Sequence, residues 1–397
     1  MTDDNGFVER RILEGARTGA LLGMQLAVKD NIEVDGFRFT AGHPLFSERR
    51  AHRTAPVVQC LLDAGAAVVG TTCTDAGGFG VTTPGVENPV AKDLIVGGSS
   101  GGAAAVVASG HADIGLGTDT GGSVRIPAAC TGLFAYKPSY GSASLSGVWP
   151  LARSFDHVGL LARTPDTLIS TSTVLLGHPI QIPKPTARQH IRIGIETTSP
   201  VFRSHWAKEG LKRISDRLEN LGYAVVPVKV PAREPIIEAH GIVTLFEASR
   251  IYEGLTSAER QRLGPAAVRA LNFADKVSES KLKDSLRELQ YVRDRYMALV
   301  AHVDVLLLPT LPCPPPKRFE KTVAIGSRKL PVLHAMIYET SLLNVCGAPV
   351  IVLPESPGTG SDAGSVPFSF QIVGAGFSDL ELLSSCKVIA SDLGAEH

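Results

Sequence analysis

Charge of one sign is missing from this chain: Lys and Arg number 39, and so do Asp and Glu. Without a net charge there is no global field to draw it to nucleic acid or to an anionic membrane. No apolar run is long enough to cross a bilayer. The start, Met1–Asn5, is acidic and polar, unlike a secretory signal. Cysteines stand singly at 60, 73, 130, 313, 346 and 386, with no C-x-x-C or other metal spacing. Reduced thiols in a cytoplasmic protein with no metal site are therefore expected. No Lys-Ser/Thr follows the glycine runs as a phosphate-binding loop requires, and none of the 11 histidines has a recognisable catalytic context. No internal repeat is present.

What is present is an α/β rhythm. Residues 7–20 carry a polar helical pattern, and Leu21–Val28 reads as a buried strand stopping at Lys29-Asp30-Asn31. Pro56–Ala64 is an amphipathic helix ended by Gly65, and Ala66–Gly70 a short strand. Further helices are expected at Ala103–Ser109, Pro165–Leu176 and Ser204–Leu221, with a helical turn at Ile126–Thr131. Strands are expected at Gly132–Tyr136, Ile191–Ile195, Tyr223–Val230 and Val305–Leu308. Pro179, Pro183 and Pro185 mark a boundary. Glu247–Val303 is charged and helical, and reads as a solvated surface packed by one face. Apolar segments at Thr340–Val352 and Phe368–Gly374 close the fold.

The most distinctive stretch is Val96–Pro127, which holds two glycine-guarded serines. Ser99 lies in Gly-Gly-Ser-Ser-Gly-Gly and Ser123 ends Asp119-Thr120-Gly121-Gly122. Glycines before a serine let a substrate approach the backbone and leave N–H groups free to face it. Gly-Ser clusters are commonly linkers, but this one is flanked by Leu94-Ile95-Val96 and by alanines and valines. Gly97–Gly101 also fits the G-x-S-x-G nucleophile elbow of α/β-hydrolases. A serine needs a base to become a nucleophile. Lysine can serve if neutral, which requires its reference pKa to fall by about three, at roughly 4 kcal/mol. Lys29, at the end of a core strand, is best placed for the burial that does this.

Taken together, GMQLAVKDN (23–31), GGSSGG (97–102), GTDTGGSVRIP (117–127), YKPS (136–139), SFDHVG (154–159), Leu308-Pro309-Thr310 and NVCGAP (344–349) resemble the amidase signature family. The resemblance is strong over about 20–170 and weaker over about 300–375. It implies one domain over 1–397: a central mixed, twisted β-sheet covered by helices on both faces. The family-like core would span about 20–175 and 303–390, with a helical and mixed insertion over about 180–302. It also implies Ser123 as nucleophile, Ser99 as bridging serine after a cis Gly98–Ser99 peptide, and Lys29 as base. Thr120, Gly121 and Gly122 (with Ser123) would form the oxyanion hole, and Asp119 and Arg125 would be a loop-fixing pair. Gly78, Phe79 and Gly98 are candidate pocket residues; no metal or organic cofactor is implied. The sequence departs from the family pattern at Gly23-Met24-Gln25, Ala76-Gly77, Tyr136 and Ser139, none of them a catalytic position.

Tyr136–Arg163 looks most like short indoleacetamide-type amidases. A stand-alone cytoplasmic enzyme is therefore expected, taking a small, aryl-acetamide-type amide, with no direct nucleic-acid partner, no membrane partner and as a possible homodimer. Three alternatives stand beside it: the amide-cleaving component of a tRNA-dependent glutamine amidotransferase (its A component), an α/β-hydrolase esterase using Ser99, and a silent scaffold that keeps the fold.

Overall fold

The computed structural model describes residues 4–177, 188–196, 202–355, 366–374 and 378–394. The proline-rich boundary at 179–185 lies outside the described residues. In chain order the first elements are β1 (Phe7–Leu13), β2 (Gln25–Lys29), α1 (Pro56–Asp63) and β3 (Ala67–Thr72). Next come α2 (Gly101–Ala108), β4 (Ile114–Asp119), α3 (Arg125–Thr131), β5 (Phe134–Lys137), β6 (His157–Ala162) and α4 (Pro165–Leu175). Then follow β7 (Arg192–Glu196), α5 (His205–Asn220), β8 (Ala224–Val228), α6 (Arg233–Ile251), α7 (Ser257–Gln261), α8 (Pro265–Ala274) and α9 (Glu279–Val300). The chain ends with β9 (Val305–Pro309), β10 (Thr322–Ile325), β11 (Arg328–Pro331), α10 (Val332–Met336), α11 (Ser341–Val345), β12 (Val350–Pro354), β13 (Ser369–Gly374) and α12 (Asp379–Asp392).

Eleven strands form one sheet in the order β1-β3-β2-β4-β6-β5-β12-β13-β9-β7-β8. It is mixed: β3, β2 and β4 run parallel, as do β9, β7 and β8, while the strands between them pair antiparallel. This is an α/β architecture with helices on both faces, and strand alternation explains how. On β2, Leu26 and Val28 join the core under α1, α4, α5 and α12, while Ala27 faces α2. On β5, Phe134 and Tyr136 point to the first face and Ala135 to the second. Small residues on the second face let the alanine-rich α2 lie close on the sheet. On β9, Val305 and Leu307 alternate with Leu306 and Leu308, which meet α6, α9 and α11.

Residues 7–20 differ from the helical expectation. Phe7–Leu13 is an edge strand, paired antiparallel with β3 across irregular register. Its ladder to β3 supplies backbone partners that outweigh a weak local helical pattern. The charged region resolves into α6 to α9, with α9 burying Leu289, Val292, Tyr296 and Val300 against its neighbours. The start of α6 is fixed by a buried four-charge cluster. Arg233 donates to Glu196 at 2.7 Å and to Glu339 at 3.2 Å, and Arg203 donates to the same two carboxylates. Among the described residues no helix is long and apolar enough to cross a membrane.

Candidate active site

The site forms where β2 and β4 end side by side and the loops after them meet. Lys29 is the last residue of β2 and is fully buried. Its Nζ lies 2.8 Å from Ser99 Oγ and donates to Thr118 Oγ1 at 2.8 Å. Asn31 also donates to Thr118, at 3.0 Å. Burial pulls the Lys29 pKa down from 10.5 to about 7, against the upward pull of Asp75, Asp119 and Asp156. The same burial raises the Asp75 and Asp156 carboxyls above their ordinary range, although hydrogen bonds from Thr83 and Thr120 respectively oppose it. A second buried lysine, Lys137, also falls to about 7 through burial, but its donors go to the carbonyls of Ala348 and Pro138. Of the two, Lys29 is the one in contact with a serine.

The Gly98–Ser99 peptide is cis. Gly98 packs so closely that a Cβ there would stand 2.5 Å from Asp75 Oδ2 and 2.6 Å from the Thr82 nitrogen. Its place in the loop is set by this close packing. Close backbone contact explains the glycine. Gly78 and Phe79 bound a cavity of about 160 Å³, together with Thr120, Gly121, Ser123 and, from α6, His240 and Thr244. The two serine loops are tied directly, Ser100 N–H donating to the Ser123 carbonyl at 3.0 Å.

Asp119 and Arg125 are both fully buried and pair at 2.9 Å. Burial alone would raise the Asp119 carboxyl, but the Arg125 guanidinium holds it well below the usual carboxylate range. Arg125 also donates to Thr340 O, Asn344 Oδ1 and Gln371 Oε1. Asp119 in turn accepts the Gly122 N–H at 2.9 Å. Gly122 is thus already engaged, whereas the N–H groups of Thr120, Gly121 and Ser123 have no acceptor among the described residues. Of the expected oxyanion set, the donor of Gly122 is the one that goes to the Asp119 carboxylate. Replacing Arg125 with methionine strands a buried carboxylate, and a stability loss of about 3–5 kcal/mol is expected in denaturant unfolding.

Several neighbours of the site were given no role from the sequence. Thr118, the second partner of Lys29, carries no signal beyond its place in GTDTGGS. Asp156 accepts from Thr120 Oγ1 at 2.6 Å and so braces the Ser123 loop. His240 donates from Nε2 to the Thr120 carbonyl at 2.9 Å, and burial lowers its pKa to about 4. Being far away in the chain, it had no local pattern to mark it. His157 is buried and donates from Nδ1 to Phe155 O.

A mixed sheet with this pair of serine loops defines an enzyme of amide C–N bonds. A family model described as Amidase matches residues 8–383, and the chain belongs to the amidase family. Curated relatives include the A component of the glutamyl-tRNA(Gln) amidotransferase of Haloarcula marismortui, 30% identical over 98% of this chain and 100% of the relative. The protein of the same name from Natronomonas pharaonis is 31% identical, over 96% and 98% respectively. Among solved structures, a crystal structure of an amidase is similar with a TM-score of 0.86 and 30% identity, over 95% of this chain and 86% of that one. Family membership removes the α/β-hydrolase alternative. The relatives' names also overturn one expectation: a stand-alone enzyme without protein or nucleic-acid partners. Matching proteins along essentially their whole length are subunits of an amidotransferase for glutamyl-tRNA(Gln). A balanced net charge was no ground for that expectation, because an overall charge does not report local binding surfaces.

Proposed function

We propose that this chain is the amide-cleaving subunit of a glutamine-dependent amidotransferase, releasing ammonia for transfer on a glutamyl-tRNA. Support for the assembly comes from the end-to-end match to the amidotransferase relatives. For the chemistry, the carrying observation is a fully buried lysine, its pKa near 7, in hydrogen-bond contact with Ser99. Neutral Lys29 takes the Ser99 proton, and Ser99 takes that of Ser123 as its oxygen attacks the amide carbon. The N–H groups of Thr120, Gly121 and Ser123 take up the developing negative charge. The proton then returns through Ser99 to the leaving nitrogen, the C–N bond breaks, and ammonia departs. Water hydrolyses the acyl-enzyme on Ser123 and frees the acid.

Ammonia release from glutamine, measured with and without co-purified partner subunits, tests this. Turnover that increases on adding the partners and a glutamyl-tRNA is the expected result. Cleavage of other amides with no release from glutamine under either condition would overturn the subunit reading while sparing the serine chemistry.

A further inference from the structure

Beside the cavity at Ser123 lies a second chamber of about 770 Å³. Ile237, Gly241, Leu245 and His334 bound both. The first three stand one turn apart on α6, so one stripe of that helix makes the junction. Gly241 is out of character in this position, because glycine is a poor former of helix interiors. Neither backbone nor packing demands it. It is absent from the positive-φ glycines, and a Cβ built on it would meet nothing within 4 Å. Gly210 in α5 is the contrast: a Cβ there would lie 2.5 Å from the Phe368 ring. Gly210 is explained by contact, whereas Gly241 borders open space shared by two chambers.

We propose that Gly241 keeps open a passage between the inner cavity and the outer chamber, so that the site accepts amides with an extended chain reaching from Ser123 past α6. The outer chamber sets the chemistry of that chain. Phe202, Phe273 and Leu330 offer apolar wall, and Lys276 offers an ammonium to a polar far end, Glu238 being already paired with Lys281. Beside glutamine, the site would therefore also take a second class of amide, longer than glutamine, apolar along its length and polar at its tip. The inference rests on Ser123 being the nucleophile.

Rates of Ser123 labelling by ethyl and decyl fluorophosphonates test it without a known substrate. The parent protein is expected to react faster with the decyl probe by about tenfold or more, since each buried methylene contributes favourably. Gly241→Leu, which fills the junction, is expected to bring that ratio to about one. Gly241→Ala is expected to melt no lower than the parent, because alanine is the better helix former. Labelling with no preference for length, or an equal slowing of both probes in Gly241→Leu, overturns the passage. Failure of both probes to label Ser123 overturns the serine mechanism, and the passage with it.

Discussion

Lys29→Met is expected to lower amide turnover by about 10²–10⁴-fold, the usual contribution of a positioned acid–base group. Methionine keeps the volume of the stem, removes the amine from Ser99 and Thr118, and leaves the β2 backbone untouched. Stability separates this from a structural effect. Burial holds the lysine's pKa near 7 against 10.5, so in the folded state the charged form is the costly one. That cost is fully present below about pH 7 and is relieved as pH rises towards the unfolded value. Lys29→Met removes it, so the variant should be inactive yet at least as stable as the parent at neutral or acidic pH. In the parent, ammonia release should climb through about pH 7 to a plateau. A rate that is flat across that interval, or a variant retaining most of its turnover, would remove Lys29 as the base.

Ser123→Ala should have the largest effect of all, a loss on the order of 10⁴-fold or more, because the covalent intermediate can no longer form. Ser99→Ala should be less complete, since it removes the relay but leaves the attacking oxygen. Trapping the acyl adduct and locating it by peptide mass spectrometry decides the order. An adduct on Ser99, or turnover surviving in Ser123→Ala, would reverse the two roles.

The residues proposed for chemistry were legible because each sits in a short, rigid sequence context: Val-Lys-Asp, Gly-Gly-Ser-Ser-Gly-Gly and Thr-Gly-Gly-Ser. The elements behind them were legible where one periodicity dominates, as in α1 with Val57, Val58, Leu61 and Leu62 buried. The reading failed where turn-like residues interrupt or precede a buried strand, or where pairing is distant. Every residue of β4 is buried, yet its glycines at 115 and 117 punctuate the sequence like a turn. Strand β6 is likewise buried throughout and hides behind the turn-like Ser154–Asp156. Thr118, Asp156 and His240 act on the site through bonds made across the fold, which no local spacing encodes.

The bonds from Arg125 to Thr340, Asn344 and Gln371 bear on how the enzyme is born. The side chain that shapes the Ser123 loop leans on contacts supplied more than 200 positions later. A ribosome making the chain from its N-terminus therefore extrudes the serines long before their scaffold. The nascent polypeptide should stay inert towards cellular amides until β13 has emerged and docked.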